Sequence, residues 1–243
     1  MKRNCCLAFA ALACAANAHA DPDDYVHLPA VEYGEREIDF KFGSQHGGGD
    51  ESRANTSIGF GYSPTQWWFT EFYGKWEHPS GESTRFDEFE WENKFQLTEP
   101  GQYWADAGFL IEIERPSDHA EGWEFKLGPL FQKDFGIWQV NFNPLFERAV
   151  HAAEPQVTEL HYEWQVKYRW REELEFGAQG FGNLGEWDHW APGSEQEHKL
   201  GPAIFGKVLL GGRNTIVWNA AWLFGASDAA ARNTFRLQTE YEF

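Results

Sequence analysis

Cysteine is nearly missing from this chain. Its only cysteines, Cys5, Cys6 and Cys14, all precede residue 20, so beyond that point neither disulfides nor thiolate metal centres can hold a fold together. Long apolar runs are missing too, and no stretch after residue 20 approaches the roughly 18 uncharged apolar residues that a membrane helix requires. Positive charge is scarce. Lys and Arg total 20 against 38 Asp and Glu, a net charge of −18, and such a balance excludes recognition of a phosphate backbone and hence a nucleic-acid partner. Sustained helical periodicity is also absent. What the chain does have is aromatic side chains, 17% of all residues with 13 Trp, which argues against disorder.

Residues 1–20 have Lys2 and Arg3, the apolar run Cys5 to Ala16, and then Ala18-His19-Ala20, the pattern of a cleaved secretory signal peptide. A lipoprotein leader retaining Cys14 fits less well, because Leu12 sits one place too close to that cysteine. Cleavage removes two basic residues of the 20, leaving 18 against 38 and a net charge of −20. A polar segment, 21–31, follows and is expected on the periplasmic side, with 32–243 as a single domain.

That domain alternates with period two, the signature of strands with unlike faces. The fourth strand sets Phe89, Trp91, Phe95 and Leu97 against Glu88, Glu90, Glu92, Lys94 and Gln96, and the eighth sets Leu160, Tyr162, Trp164, Val166, Tyr168 and Trp170 against Glu159, His161, Glu163, Gln165, Lys167 and Arg169. The fifth is expected to start at Tyr103. In the second and third, Gly59 and Gly61 leave space that Phe69 and Tyr73 can fill. Weaker strands are read at 174–181, 198–209 and 215–224, and the last stretch, 232–243, puts Leu237, Thr239, Tyr241 and Phe243 on one face. About twelve strands result. Their connections alternate between short turns, near Pro64, Pro100, Phe135, Glu172 and Gly212, and longer polar loops.

This tail resembles the closing strand of bacterial outer-membrane β-barrels, whose terminal Phe with apolar residues at alternate upstream positions is the family's assembly signal; here those residues are Tyr241 and Phe243. The resemblance implies an all-β, single antiparallel transmembrane barrel in the bacterial outer membrane, in contact with outer-membrane lipid and the barrel-assembly machinery. Without long apolar helices, a closed barrel is the remaining way to span a bilayer. Tyr62, Trp68, Tyr103, Trp138, Trp170 and Phe243 are then expected at the periplasmic rim, with Trp76 and Trp123 at the outer one.

The expected pore lining is Glu37, Asp39, Glu71, Lys75, Glu88, Glu90, Glu92, Lys94, Asp106, Glu112, Glu114, Glu124, Lys126, Glu159, His161, Glu163, Lys167, Arg169, Glu175 and Arg236. Its acidic excess points to passive passage of small solutes with cations favoured. The alternatives are a lipid-modifying enzyme or a closed structural or surface-binding barrel. The loop histidines His46, His78, His119, His151 and His189 lie near carboxylates such as Asp50 and Asp188, a set that could attract metal but has no fixed ligand spacing. Glu186-x-x-His189 and Glu195-x-x-His198 match a spacing that works on facing helices, whereas this segment contains Pro192 and Gly193. No H-E-x-x-H or G-x-S-x-G is present, and the sequence calls for no cofactor and no catalytic residue. Deleting Phe243 should lower the amount of protein inserted in the outer membrane while export across the inner membrane stays normal. Cell fractionation checks this, and undiminished insertion would remove the reading of the tail.

Overall fold

The structure, a computed structural model, describes residues 21–47 and 52–243; the signal-peptide reading and the position of Asp50 lie outside them. Among the described residues there are twelve strands: β1 (Arg36–His46), β2 (Arg53–Thr65), β3 (Trp68–Pro79), β4 (Arg85–Gln96), β5 (Asp106–Pro116), β6 (Trp123–Phe135), β7 (Trp138–Val150), β8 (Glu159–Arg171), β9 (Leu174–Glu186), β10 (Glu197–Gly211), β11 (Asn214–Gly225) and β12 (Asn233–Glu242). Each pairs antiparallel with its sequence neighbours, and β12 returns to β1, with Phe42 opposite Leu237 and Ile38 opposite Tyr241, so the barrel is closed. Beyond the last strand, the Phe243 amide donates to the Arg36 carbonyl at 2.8 Å and its ring stacks on Tyr241.

The alternation places polarity inside out. Phe89 is 64% exposed on the exterior while Asp39, on an inward position of β1, is 0% exposed. Exposed Ile38, Phe40, Ile58, Phe60, Phe72, Trp91 and Phe142 share the outer face, and buried Glu37, Lys41, Glu71, Lys75, Glu90, Glu92, Glu112 and Glu114 share the inner one. An apolar exterior around a charged interior suits hydrocarbon outside, not water.

Two-residue connections join β2 to β3, β6 to β7, β8 to β9 and β10 to β11, with Gly136 and Gly212 at positive φ, as tight hairpins demand. The β4–β5 connection, expected to be tight, spans 97–105, and β5 starts at Asp106 rather than Tyr103. The reason is local: the Asp106 carboxylate accepts from the Gly101 amide at 2.6 Å and the Thr98 hydroxyl accepts from the Ala107 amide at 2.8 Å, closing a wide turn that holds Tyr103 and Trp104 outside the ladder. The strands read as weak extend further than expected, β9 to Glu186 and β10 to Gly211. Arg36 has the parity of the lipid-facing Ile38 and Phe40 but begins β1 without a bulge. It pairs in register with Tyr62 at the short-turn end and lays its guanidinium over that ring at 5.8 Å.

Gly59 pairs with Tyr73 across β2 and β3, and a Cβ at Gly59 would sit 2.4 Å from the Tyr73 ring; one at Gly61 would sit 2.4 Å from Phe69. The aromatic rings therefore occupy the space that the glycines vacate. Gly59→Val should destabilise the barrel by about 1–3 kcal/mol through overpacking, and Tyr73→Ala in the same chain should recover part of that loss. Guanidinium unfolding in detergent measures both, and equal stability of Gly59→Val and wild type would contradict the packing.

Candidate functional site

The polar segment 21–31, expected on the periplasmic side, instead runs through the barrel interior. It forms a strap from the long-loop end, where Asp21 meets Arg53 at 3.3 Å, to the short-turn end, where the Val31 amide donates to Gln96 at 2.8 Å. Between these points it touches walls on opposite sides of the barrel. Asp23 accepts from the Ser57 hydroxyl on β2, Tyr25 donates to Glu92 on β4, and the His27 carbonyl accepts from Asn143 on β7 at 2.9 Å. Glycines on the wall make room for it. A Cβ at Gly43 would lie 2.1 Å from the Pro22 backbone, and one at Gly108 2.9 Å from Pro29.

The strap opens on a turn, the Asp24 amide donating to the Asp21 carbonyl at 3.2 Å, and from Tyr25 to His27 its side chains enter two unlike sectors of the wall alternately. Val26 enters an apolar cluster with Phe181, Ala203, Phe205, Ala221 and Leu223, from β9, β10 and β11. Tyr25 and His27 enter the charged sector. His27 Nδ1 lies 3.0 Å from Glu163 and Nε2 lies 3.4 Å from Glu92, with Tyr25 packed against the imidazole at 4.3 Å. Two carboxylates this close favour the imidazolium form. Lys41 completes the layer, its ammonium 3.6 Å from the ring centres of both Tyr25 and Tyr73, while Asp39 accepts from Tyr73 and Gln238.

Toward the long-loop end, Lys75 gathers Glu88, Glu90 and Glu114 at 2.8, 2.7 and 2.5 Å, and Lys126 bridges Glu112 and Glu147 at 2.9 and 3.6 Å. His161 stands 3.6 Å from Glu147. Two buried groups, His27–Glu92–Glu112 and Glu90–Glu112–Glu114, have donor atoms close enough together to hold a metal ion. In both, Lys75, Lys126 or the imidazole already sits against the carboxylates, so the balancing cations are the protein's own. The cavity beside these groups measures about 30 Å³, room for roughly two waters.

Of the expected lining residues, Glu37, Asp39, Glu71, Lys75, Glu88, Glu90, Glu92, Glu112, Glu114, His161, Glu163 and Arg236 are buried in the interior. Glu124, Lys126, Glu159, Lys167, Glu175 and Lys94 are half-buried. Arg169 is exposed and pairs with Asp134 at the short-turn end, and Asp106 serves the β4–β5 turn. The five loop histidines are all exposed, and none belongs to a three-ligand group among the described residues. Besides the strap, the sequence reading missed an amide ladder inside β7, β8 and β9, in which Gln139 and Gln165 donate to Asn141 at 2.8 and 3.1 Å and Gln179 donates to Gln165 at 3.1 Å. Its signal was Asn141 and Asn143 alternating with Val140 and Phe142.

No protein-family model matches the chain, and no curated protein matches it. Among solved structures, the chain is similar to the NanC porin, with 9% identity over 85% of this chain and 100% of that one and a TM-score of 0.59. It is similar as well to an outer-membrane channel from Pseudomonas putida F1, with 13% identity over 92% of this chain and 99% of that one and a TM-score of 0.57. With the apolar exterior and the closed ladder, this likeness gives the chain the fold of an outer-membrane β-barrel. At such identities the likeness concerns the fold alone.

His27→Ala should free the strap, since removing one member of a buried ion pair costs about 3–5 kcal/mol. With Val26→Cys as a reporter, a water-soluble maleimide should react at least about a hundredfold faster in the His27→Ala chain than in its His27 counterpart, because each 1.4 kcal/mol is about tenfold. Equal rates would show that His27 does not hold the strap.

Proposed function

We propose that the protein is an outer-membrane channel for small solutes, preferring cations, whose lumen the 21–31 strap obstructs until it is displaced. The observation that carries this reading is the polarity of the interior. The strap rests mainly on ion pairs and hydrogen bonds, and the wall it covers is one that water can solvate. An interior built to stay shut is better served by close-packed apolar side chains.

The sign of the preference follows from charge. Among the described residues, twelve Asp and Glu are buried, against four Lys and Arg, namely Lys41, Lys75, Lys199 and Arg236. Half-buried Lys126 and the two interior histidines narrow this excess without reversing it. A low-dielectric wall focuses such a field and concentrates cations in the passage, most strongly at low salt. The two similar structures of channel type favour the same reading.

The test is conductance in planar bilayers for the chain beginning at Asp21 and for a variant lacking 21–31, both checked for heat-modifiable migration. The intact chain should show low or intermittent current. The shortened one should conduct steadily, with a reversal potential in a potassium chloride gradient that reports cation preference. A folded but non-conducting shortened barrel would overturn the channel reading, and an anion-selective one would overturn the electrostatic part.

A further inference from the structure

On the lipid-facing side at the long-loop end, β6 and β7 carry a groove of about 470 Å³. Its walls include Phe125, Leu127, Phe146 and Val150, Glu147 borders it but is paired with Lys126 at 3.6 Å, and Trp187 closes one side by meeting the Phe146 ring edge-on at 6.2 Å. Trp187 is the first residue after β9, held by its amide to the Thr158 carbonyl at 3.0 Å. The exterior of this barrel faces hydrocarbon, so what meets a groove with these walls is a lipid chain.

Arg148 also lines the groove. It stands opposite Phe125 in the β6–β7 ladder and is exposed. Among the described residues, no carboxylate pairs with it, although Asp and Glu outnumber Lys and Arg by 38 to 20. By contrast Arg115, one strand further, is engaged by Trp123 at 5.1 Å and by the Gly122 carbonyl. A guanidinium left free at the end of an acyl-chain groove offers a planar fork of donors suited to phosphate. Trp187 beside it has the amphipathic character that places indoles at a membrane interface.

We propose that this groove is a lipid-binding site, in which an acyl chain of an outer-leaflet lipid lies along Phe125, Leu127 and Phe146 while Arg148 binds that lipid's phosphate. The site is on the outside of the barrel and does not depend on whether the lumen conducts.

Native mass spectrometry of the refolded chain beginning at Asp21 tests it, using lipid A with its phosphates, lipid A with the phosphates removed, and phosphatidylcholine. The wild type should retain phosphorylated lipid A best. Arg148→Gln should lower that retention about tenfold or more, the scale of one charged hydrogen bond, while leaving the dephosphorylated form little changed. Trp187→Ala should lower retention of both. Arg171→Gln is the control, since Arg171 is an exposed arginine next to an exposed indole, packing on Trp170 at 4.6 Å, at the opposite end and away from the groove. Equal retention of the two lipid A forms by the wild type, or equal losses for Arg148→Gln and Arg171→Gln, would overturn the proposal.

Discussion

Closure of the hydrogen-bond ladder is the constraint on which everything else in this molecule depends. In hydrocarbon an unpaired backbone amide or carbonyl costs several kcal/mol, so a sheet can enter the bilayer only without edges. The seam between β1 and β12 supplies that condition, running in unbroken register from Glu37 opposite Glu242 to His46 opposite Asn233. Once the ladder is closed, period two does the rest. Every residue is committed to lipid or lumen, and a register slip of one would put Asp39 into hydrocarbon and Phe40 into the interior.

A twelve-stranded ring lies between the roughly eight strands whose side chains fill the interior and the roughly sixteen that leave an open aqueous channel. The interior is filled unevenly. Around β9 to β11 the inward positions include an apolar cluster, Phe181, Ala203, Phe205, Ala221 and Leu223, beside buried Gln179 and Lys199, and around β3 to β8 they are mostly carboxylates, amides and lysines. The strap is matched to both, because it presents Val26 to one side and Tyr25 and His27 to the other.

Period two also explains what could be read in advance. Strands such as β4 and β8 announce themselves because their two faces differ in charge. β9 and β11 looked weak because small residues, Gly177, Gly180 and Gly182 in the one and Ala220 and Ala221 in the other, blunt the contrast between their faces although the strands are long. The strap was taken for a polar lead-in because its informative residues, Tyr25, Val26 and His27, span only three positions, too few for any period to show. Its traces lie elsewhere, in Gly43 and Gly108, whose missing Cβ atoms admit Pro22 and Pro29. A glycine inside a strand signals a close approach, but it does not say which segment approaches. Asp106 has the parity of Leu110 and Glu112, but as the first residue of β5 its carboxylate is taken up by the Gly101 amide of the preceding turn.

The charged character of the strap's seat bears on how it could leave. Breaking an ion pair in a dry core strands the remaining charge, and this is what makes such pairs costly to break. In a lumen open at its ends, water follows the departing strap and solvates Glu92 and Glu163, so much of that cost is recovered as release proceeds. Burial of Val26 has the opposite character, since its apolar neighbours gain nothing from incoming water. The strap is therefore held by two kinds of interaction that respond oppositely to hydration. Charge pairing and hydrogen bonds at His27 fix its position in the closed barrel, and the burial of Val26 adds a contact that incoming water does not replace.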